Sequence, residues 1–264
     1  MFNLQQIKGL ILDMDGVLWR GSVPIGDLVK IFARIKHLGI KITLATNNSG
    51  FTVATYQQKL ANFGVDLDQS QIISSGVVAA AFLKRNHPNG GEVYIIGGDG
   101  LFETLADQGF EASNSNDVPA VVVGLDREIN YEKIKHAARL IRNGALFIGT
   151  NPDNTYPDPD GLSPGTGSIL AAVGAAAGVR PKIMGKPETE IVKICLERMN
   201  ISSDQALVVG DRLETDIECG QRLAVKTALV LSGVTTRDMA DNWQPPIDWI
   251  GESLETLVFD GIAG

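Results

Sequence analysis

Short apolar runs alternate with longer stretches in which apolar positions recur every three or four residues. Gly9 to Leu12 reads as a buried strand, and Ile25, Leu28, Val29, Phe32, Ile35 and Leu38 then fall on one helical face, with Gly39 as a stop. Ile40 to Ala45 is the next strand, followed by a helix that carries Tyr56, Leu60 and Phe63 and ends at Gly64. Ile72 to Ser74 and Val77 to Leu83 repeat the strand and helix pair. This alternation predicts a parallel sheet with helices on its faces.

The sequence His87-Pro88-Asn89-Gly90-Gly91 interrupts the rhythm, which then restarts. Val93 to Ile96, Ala120 to Val123 and Leu146 to Ile148 read as strands, separated by helices near Leu101 to Gln108 and Tyr131 to Asn143. Asn151 to Gly165, dense in Pro, Asp, Asn and Gly, reads as a loop, and Gly167 to Ala177 as a helix of small residues. A third block begins at Lys182. In it Glu188 to Met199 and Thr215 to Leu223 read as helices and Ala206 to Val209 and Thr227 to Leu231 as strands, with Trp249-Ile250 and Leu254 to Phe259 closing the chain. The middle block can be an insertion between two halves of one sheet domain.

Composition narrows the function. With 264 residues, 44% of them hydrophobic and 20% charged, the chain can bury a substantial core. Its formal net charge of −8 argues against a nucleic-acid or anionic-membrane surface. A phosphate ligand would need positive charge supplied locally or by a metal. The two cysteines and three histidines lie in no zinc-like spacing. No apolar run reaches the ~18 residues of a membrane span. Asp13 and Asp15 interrupt the first apolar stretch, so no signal peptide is expected and the cytoplasm is the expected compartment.

The polar residues of interest fall at strand ends, where open α/β sheets bind ligands. Asp13-Met14-Asp15-Gly16 follows the first strand. Two carboxylates at that spacing can face one side of an extended chain, where they repel each other unless a divalent cation such as Mg²⁺ intervenes. One could then attack phosphorus while the other handles a proton. An ordinary strand-to-turn transition explains this motif alone about as well. Thr46-Asn47-Asn48-Ser49-Gly50 follows the second strand and precedes a helix, a place suited to an anion. A helix cap needs only one of these side chains, so the cluster favours phosphate binding. In Gly185-Lys186-Pro187-Glu188, Pro187 and Glu188 suit a helix's first turn and leave Lys186 able to reach a phosphate or carboxylate oxygen. Gly210-Asp211-Arg212-Leu213-Glu214-Thr215-Asp216 places Asp211 at a strand end and Asp216 near the next helix start, where it could also be a plain cap. Together these positions could hold Mg²⁺ and a phosphoryl group.

In this order, the motifs D-M-D-G-V-L-W, T-N-N-S, G-K-P-E and G-D-R-L-E-T-D resemble the haloacid dehalogenase superfamily, and more closely its NagD / 4-nitrophenylphosphatase-like capped phosphatases. The resemblance implies an α/β fold: a Rossmann-like, doubly wound parallel-sheet core over residues 1–77 and 180–264, with an inserted α/β cap over 78–179. It implies that Asp13 is the nucleophile forming an aspartyl-phosphate, and that Asp15 protonates the leaving alcohol and then activates water. Thr46, Asn47 and Asn48 would hold phosphate and substrate, and Lys186 would neutralise charge. Asp211, Asp13 and the Asp15 carbonyl would bind Mg²⁺, with Asp216 supporting the metal.

Thr150-Asn151-Pro152-Asp153 resembles the family's substrate-facing cap loop, which makes Asn151 and Asp153 candidates, although a plain Asx/Pro turn fits nearly as well. In vitamin B6-type members a histidine follows this loop. Here Tyr156, Asp158 and Asp160 stand in the region, which weakens a pyridoxal phosphate assignment. The expected partner is a small-molecule phosphate ester, with no nucleic acid or membrane, and the resemblance leaves open a homodimer through the cap.

A phosphorylatable receiver-like signalling module without turnover is the alternative reading. Such a module is a single domain of about 120 residues, and both the cap-sized insertion and the Asp13/Asp15 pair speak against it. A nucleotide-cofactor domain is disfavoured because no complete G-x-G-x-x-G or P-loop pattern occurs.

Overall fold

The computed structural model describes residues 4–158 and 161–261. The chain divides into two compact units, one comprising 1–46, 54–73 and 186–264, the other 47–53 and 74–185.

The first unit is built on a six-stranded sheet. Its central strand Gly9–Leu12 is flanked on one side by Lys41–Thr46 and then Ile72–Ser74. On its other side lie Ala206–Gly210, Lys226–Val230 and Trp249–Gly251. Gly9–Leu12 pairs in parallel with both neighbours, Leu12 lying opposite Leu44 on one side and Val209 on the other. Every residue of Gly9–Leu12 and of Ala206–Gly210 is buried, as expected of strands covered by helices on both faces. The chain adds strands first to one side of Gly9–Leu12 and later to the other. The sheet is therefore doubly wound, a Rossmann-like arrangement. Its order reverses between Gly9–Leu12 and Ala206–Gly210, and such a reversal leaves a crevice at the carboxyl ends of the two strands.

The helices form for local reasons. Leu28–His37 is capped by the Asp27 carboxylate, which accepts from the Lys30 backbone N–H at 3.1 Å, and it buries Leu28, Ile31, Phe32 and Ile35. Ile25, counted on this face from the sequence, lies before the helix begins. Val53–Asn62 buries Tyr56 and Leu60.

The second unit holds a five-stranded sheet ordered Lys182–Ile183, Leu146–Gly149, Ala120–Val123, Gly91–Ile96 and Phe110–Ala112. Its core gathers Ile96, Val121 and Val123 from the strands with Leu140, Leu170 and Val173 from the helices Tyr131–Arg142 and Thr166–Ala177.

Three local readings are corrected. Within the segment 151–165, read as loop, Thr155–Asp158 and Gly161–Pro164 pair antiparallel. Main-chain pairing does not require apolar alternation, and here the residues are mostly exposed. Thr215–Leu223 is not one helix: a wide π turn over Leu213–Ile217 leads into the short helix Glu218–Arg222. The helix after Lys186 begins at Glu190, so Pro187 and Glu188 lie in the preceding turn. Lys186 has turned inward there, and its ammonium is committed to buried partners.

Candidate active site

Asp13 sits just beyond Gly9–Leu12 and continues that strand's ladder by donating its backbone N–H to the Val209 carbonyl at 2.9 Å. Asp211 sits just beyond Ala206–Gly210 on the adjacent strand. The two carboxylates thus flank the crevice at the sheet's reversal. Asp216 arrives from the π turn Leu213–Ile217 that follows Asp211. Its Oδ2 accepts from the Arg212 backbone N–H at 3.1 Å.

Lys186 joins these groups. It is 3% exposed, and its Nζ donates to Asp13 Oδ1 at 2.6 Å, to Asp216 Oδ1 at 2.6 Å and to the Ala45 carbonyl at 2.7 Å. Burial alone would strip the proton from a lysine. Asp13 and Asp216 outweigh it and hold the ammonium above its ordinary range. Asp13 is pushed the other way: burial raises its pKa well above the usual carboxylate value, Lys186 pulls it back, and Asp216 and Asp211 push it up again. Asp211 is pushed up to about 6 by burial and by Asp216, against the pull of the Val234 N–H.

One ammonium among two buried carboxylates and one half-buried one leaves an excess of negative charge, and the arrangement is one that could hold a cation. Asp13, Asp211 and Asp216 each offer an oxygen, all within 4.8 Å of one another. Asp211 Oδ2 accepts from the Val234 N–H at 2.9 Å, while its buried Oδ1 has no hydrogen-bond partner. An orphaned carboxylate oxygen in such a cluster fits a hard divalent cation. The surrounding backbone is held close. Gly16 has φ +87°, and a Cβ there would come within 2.5 Å of Asp211 Oδ2; a Cβ at Gly233 would run into the same carboxylate.

Asp15 stands apart from this cluster. Its side chain is exposed, and its Oδ1 accepts from the Trp19 indole N–H at 2.9 Å. Thr46 is buried at the end of its strand and shares a hydrogen bond with Tyr56. Sequence reasoning missed Tyr56, because an aromatic ring on an apolar helical face reads as core. Its hydroxyl is buried near the site, and burial and the Asp15 charge raise its pKa.

The second unit brings the remaining candidates together. Asn47 Nδ2 faces both Asp153 carboxylate oxygens at 3.3 and 3.4 Å. Asn151 Nδ2 donates to the Asn47 carbonyl at 2.8 Å, and Asn151 Oδ1 accepts from the Asp153 backbone N–H at 3.1 Å. Ser75 Oγ donates to the same Asn47 carbonyl at 2.6 Å. Asn48 Oδ1 accepts from the Gly50 backbone N–H at 2.9 Å, which shapes the turn. Asp158 lies in the hairpin, where its Oδ2 accepts from Ser163 Oγ at 3.2 Å. Asp160 lies outside the described residues. Among the described residues, no helix is long and apolar enough to cross a membrane.

Comparison with known proteins shows the family of the chain. The haloacid dehalogenase-like hydrolase family matches residues 10–111, and the HAD-hydrolase-like family matches 183–257. An acid sugar phosphatase of Staphylococcus aureus is 34% identical over 97% of this chain and 98% of its own length. The structure of NagD from E. coli K-12 is 33% identical, covers 94% of this chain and 97% of its own, and superposes with a TM-score of 0.86. A glycerol phosphate phosphatase from Mycobacterium tuberculosis, solved in complex with magnesium, is 30% identical, covers 99% of this chain and 79% of its own, and gives a TM-score of 0.89. With its parallel sheet, its strand-end carboxylates and these full-length relatives, the chain belongs to the haloacid dehalogenase superfamily of hydrolases, in its NagD-like phosphatase group.

Proposed function

We propose that this phosphomonoester hydrolase transfers the phosphoryl group of a small hydroxylated metabolite to Asp13 and then to water, with Mg²⁺ as its cofactor. The observation that carries this reading is the shared grip of Lys186 on Asp13 and Asp216 beside the orphaned Asp211 oxygen. Lys186 takes up one oxygen of Asp13, so the other is the one to attack phosphorus. The same ammonium offsets the charge that gathers as two anions approach. Asp13, Asp211 and the Asp15 backbone carbonyl would hold Mg²⁺. Both oxygens of Asp216 already accept hydrogen bonds, so it would support that set from behind through Lys186 and the Arg212 backbone. Bound there, Mg²⁺ would neutralise charge on the phosphoryl oxygens and the nucleophile.

Asp15 is free of the carboxylate cluster and exposed, which supports it as the group that would protonate the departing alkoxide and then take a proton from the attacking water. Thr46, held by Tyr56, would bind a phosphoryl oxygen. The second unit would act as a cap, with Asn47, Asn151 and Asp153 selecting the leaving group and Asn48 setting the turn that presents them. The sugar and glycerol phosphates in the relatives' names support a polyhydroxylated ester as the substrate class.

Phosphate release from p-nitrophenyl phosphate and from a panel of sugar and polyol phosphates tests this reading. Turnover is expected with Mg²⁺, falling to background in EDTA and returning when Mg²⁺ is restored. Turnover unaffected by EDTA would overturn the metal assignment. The absence of any turnover would overturn the whole reading.

A further inference from the structure

Asp15 poses a problem of control. An exposed carboxylate has several rotamers and two equivalent oxygens, yet a proton donor must present one oxygen in one direction twice in each cycle. The turn that follows Asp15 supplies a fixed partner. Leu18 donates its backbone N–H to Met14 O at 2.8 Å and Gly16 donates to Trp19 O at 2.8 Å, which folds residue 19 back over residue 15. The Trp19 indole Nε1–H then donates to Asp15 Oδ1 at 2.9 Å. Trp19 cannot drift, because it is fully buried. Its ring centroid lies 5.9 Å from that of Phe63, and Lys59 Nζ sits 4.0 Å above the ring while donating to the Gly21 carbonyl at 2.8 Å.

We propose that Trp19 is a positioning residue for Asp15: its indole N–H occupies Oδ1, so that the proton is carried and exchanged only on Oδ2. An N–H donor requires an unprotonated acceptor, so in the acid form the Asp15 proton resides on Oδ2. In the first half-reaction the Oδ2–H bond breaks as the ester oxygen takes that proton. The bond from phosphorus to that oxygen breaks with it, and the bond to Asp13 forms. In the second half-reaction water gives a proton to Oδ2, its oxygen bonds to phosphorus, and the bond to Asp13 breaks. Asp15 returns to its starting form with Oδ1 still held. Simple burial of an aromatic ring would explain the contacts with Phe63 and Lys59 but not the alignment of the N–H with a carboxylate oxygen.

This inference rests on the proposed role of Asp15, and the test separates the two. Trp19→Phe keeps an aromatic ring, though a smaller one, and removes the N–H, so the dependence on leaving group and not the overall loss is the readout. In the Mg²⁺-loaded enzyme, kcat/KM covers only the steps up to departure of the leaving group. Trp19→Phe should lower it for an alkyl phosphate by at least about 10-fold more than for p-nitrophenyl phosphate, whose leaving group needs no proton; full loss of a general acid costs on the order of 10²–10⁴-fold. Asp15→Ala must show the same bias. If it does not, the role of Asp15 is wrong. If Asp15→Ala shows it and Trp19→Phe lowers both substrates equally or neither, the positioning role is overturned. A second readout uses the wild-type ring: Asp15→Ala should shift the Trp19 indole N–H resonance, and an unmoved resonance would also overturn the proposal.

Discussion

Asp13→Asn should abolish turnover while the protein stays folded. The substitution keeps the side chain's size but replaces a nucleophilic oxygen with an amide, and no neighbouring group can take its place. Asp211 has one oxygen on the Val234 N–H and the other assigned to the cation, and Asp216 is held by Lys186 and by the Arg212 N–H. A loss on the order of 10⁴–10⁶ in kcat is expected, the scale on which single nucleophiles fail. Stability should move the other way. Burial and two nearby carboxylates raise the Asp13 pKa, so folding disfavours its ionised form, and a neutral amide relieves that cost at neutral pH. Lys186 still has Asp216 and the Ala45 carbonyl. Kinetics with p-nitrophenyl phosphate and urea denaturation of the same preparation check both halves. Near-wild-type turnover would remove Asp13 from the mechanism, whereas a large drop in stability would mean that the activity loss reports unfolding.

Lys186→Met should be the most damaging single change to the fold of the first unit. It leaves Asp13 and Asp216 without their common partner, so that they must be buried as repelling anions or take up a proton, and it strands the Ala45 carbonyl. Removing one member of a buried ion pair typically costs about 3–5 kcal/mol. Part of the loss should return on adding Mg²⁺, because a cation among the same carboxylates replaces the missing charge. Activity should not return with it, since loss of one preorganised charge at the reacting centre costs on the order of 10²–10³ in kcat. Denaturation midpoints with and without Mg²⁺ test the electrostatic argument. A variant as stable as the wild type in EDTA would show that the lysine is not what holds these carboxylates together.

The residues legible in the sequence share one property: their position depends on short-range pattern. Asp13 and Asp211 follow runs of Ile, Leu and Val that can only be buried strands, and a strand's end is fixed by where the run stops. The parallel sheet with helices on its faces was legible for the same reason, whereas its doubly wound order was implied by the family resemblance. What escaped depends on distant contacts. Tyr56 reads as a core aromatic and Trp19 stands only as the last letter of a motif; both are buried, but the work of each lies in one polar atom whose partner is chosen by folding. Asp216 is named from its motif, but its bond to Lys186 joins residues thirty positions apart, which no local motif encodes. The hairpin Thr155–Asp158 and Gly161–Pro164 was hidden because Pro, Asp and Gly dominate its composition, and exposed strands lack the apolar signal that marks buried ones.

The central claim is that phosphorus is bonded to Asp13 during turnover. The enzyme would be mixed with substrate and Mg²⁺, quenched in acid within one turnover, digested at low pH, and its peptides examined by mass spectrometry. The added mass of one phosphoryl group is expected on the peptide containing Asp13, lost on treatment with base and missing from Asp13→Asn. A phosphoryl group on any other residue, or substrate turnover with unlabelled protein under conditions that trap a known aspartyl-phosphate control, would contradict it.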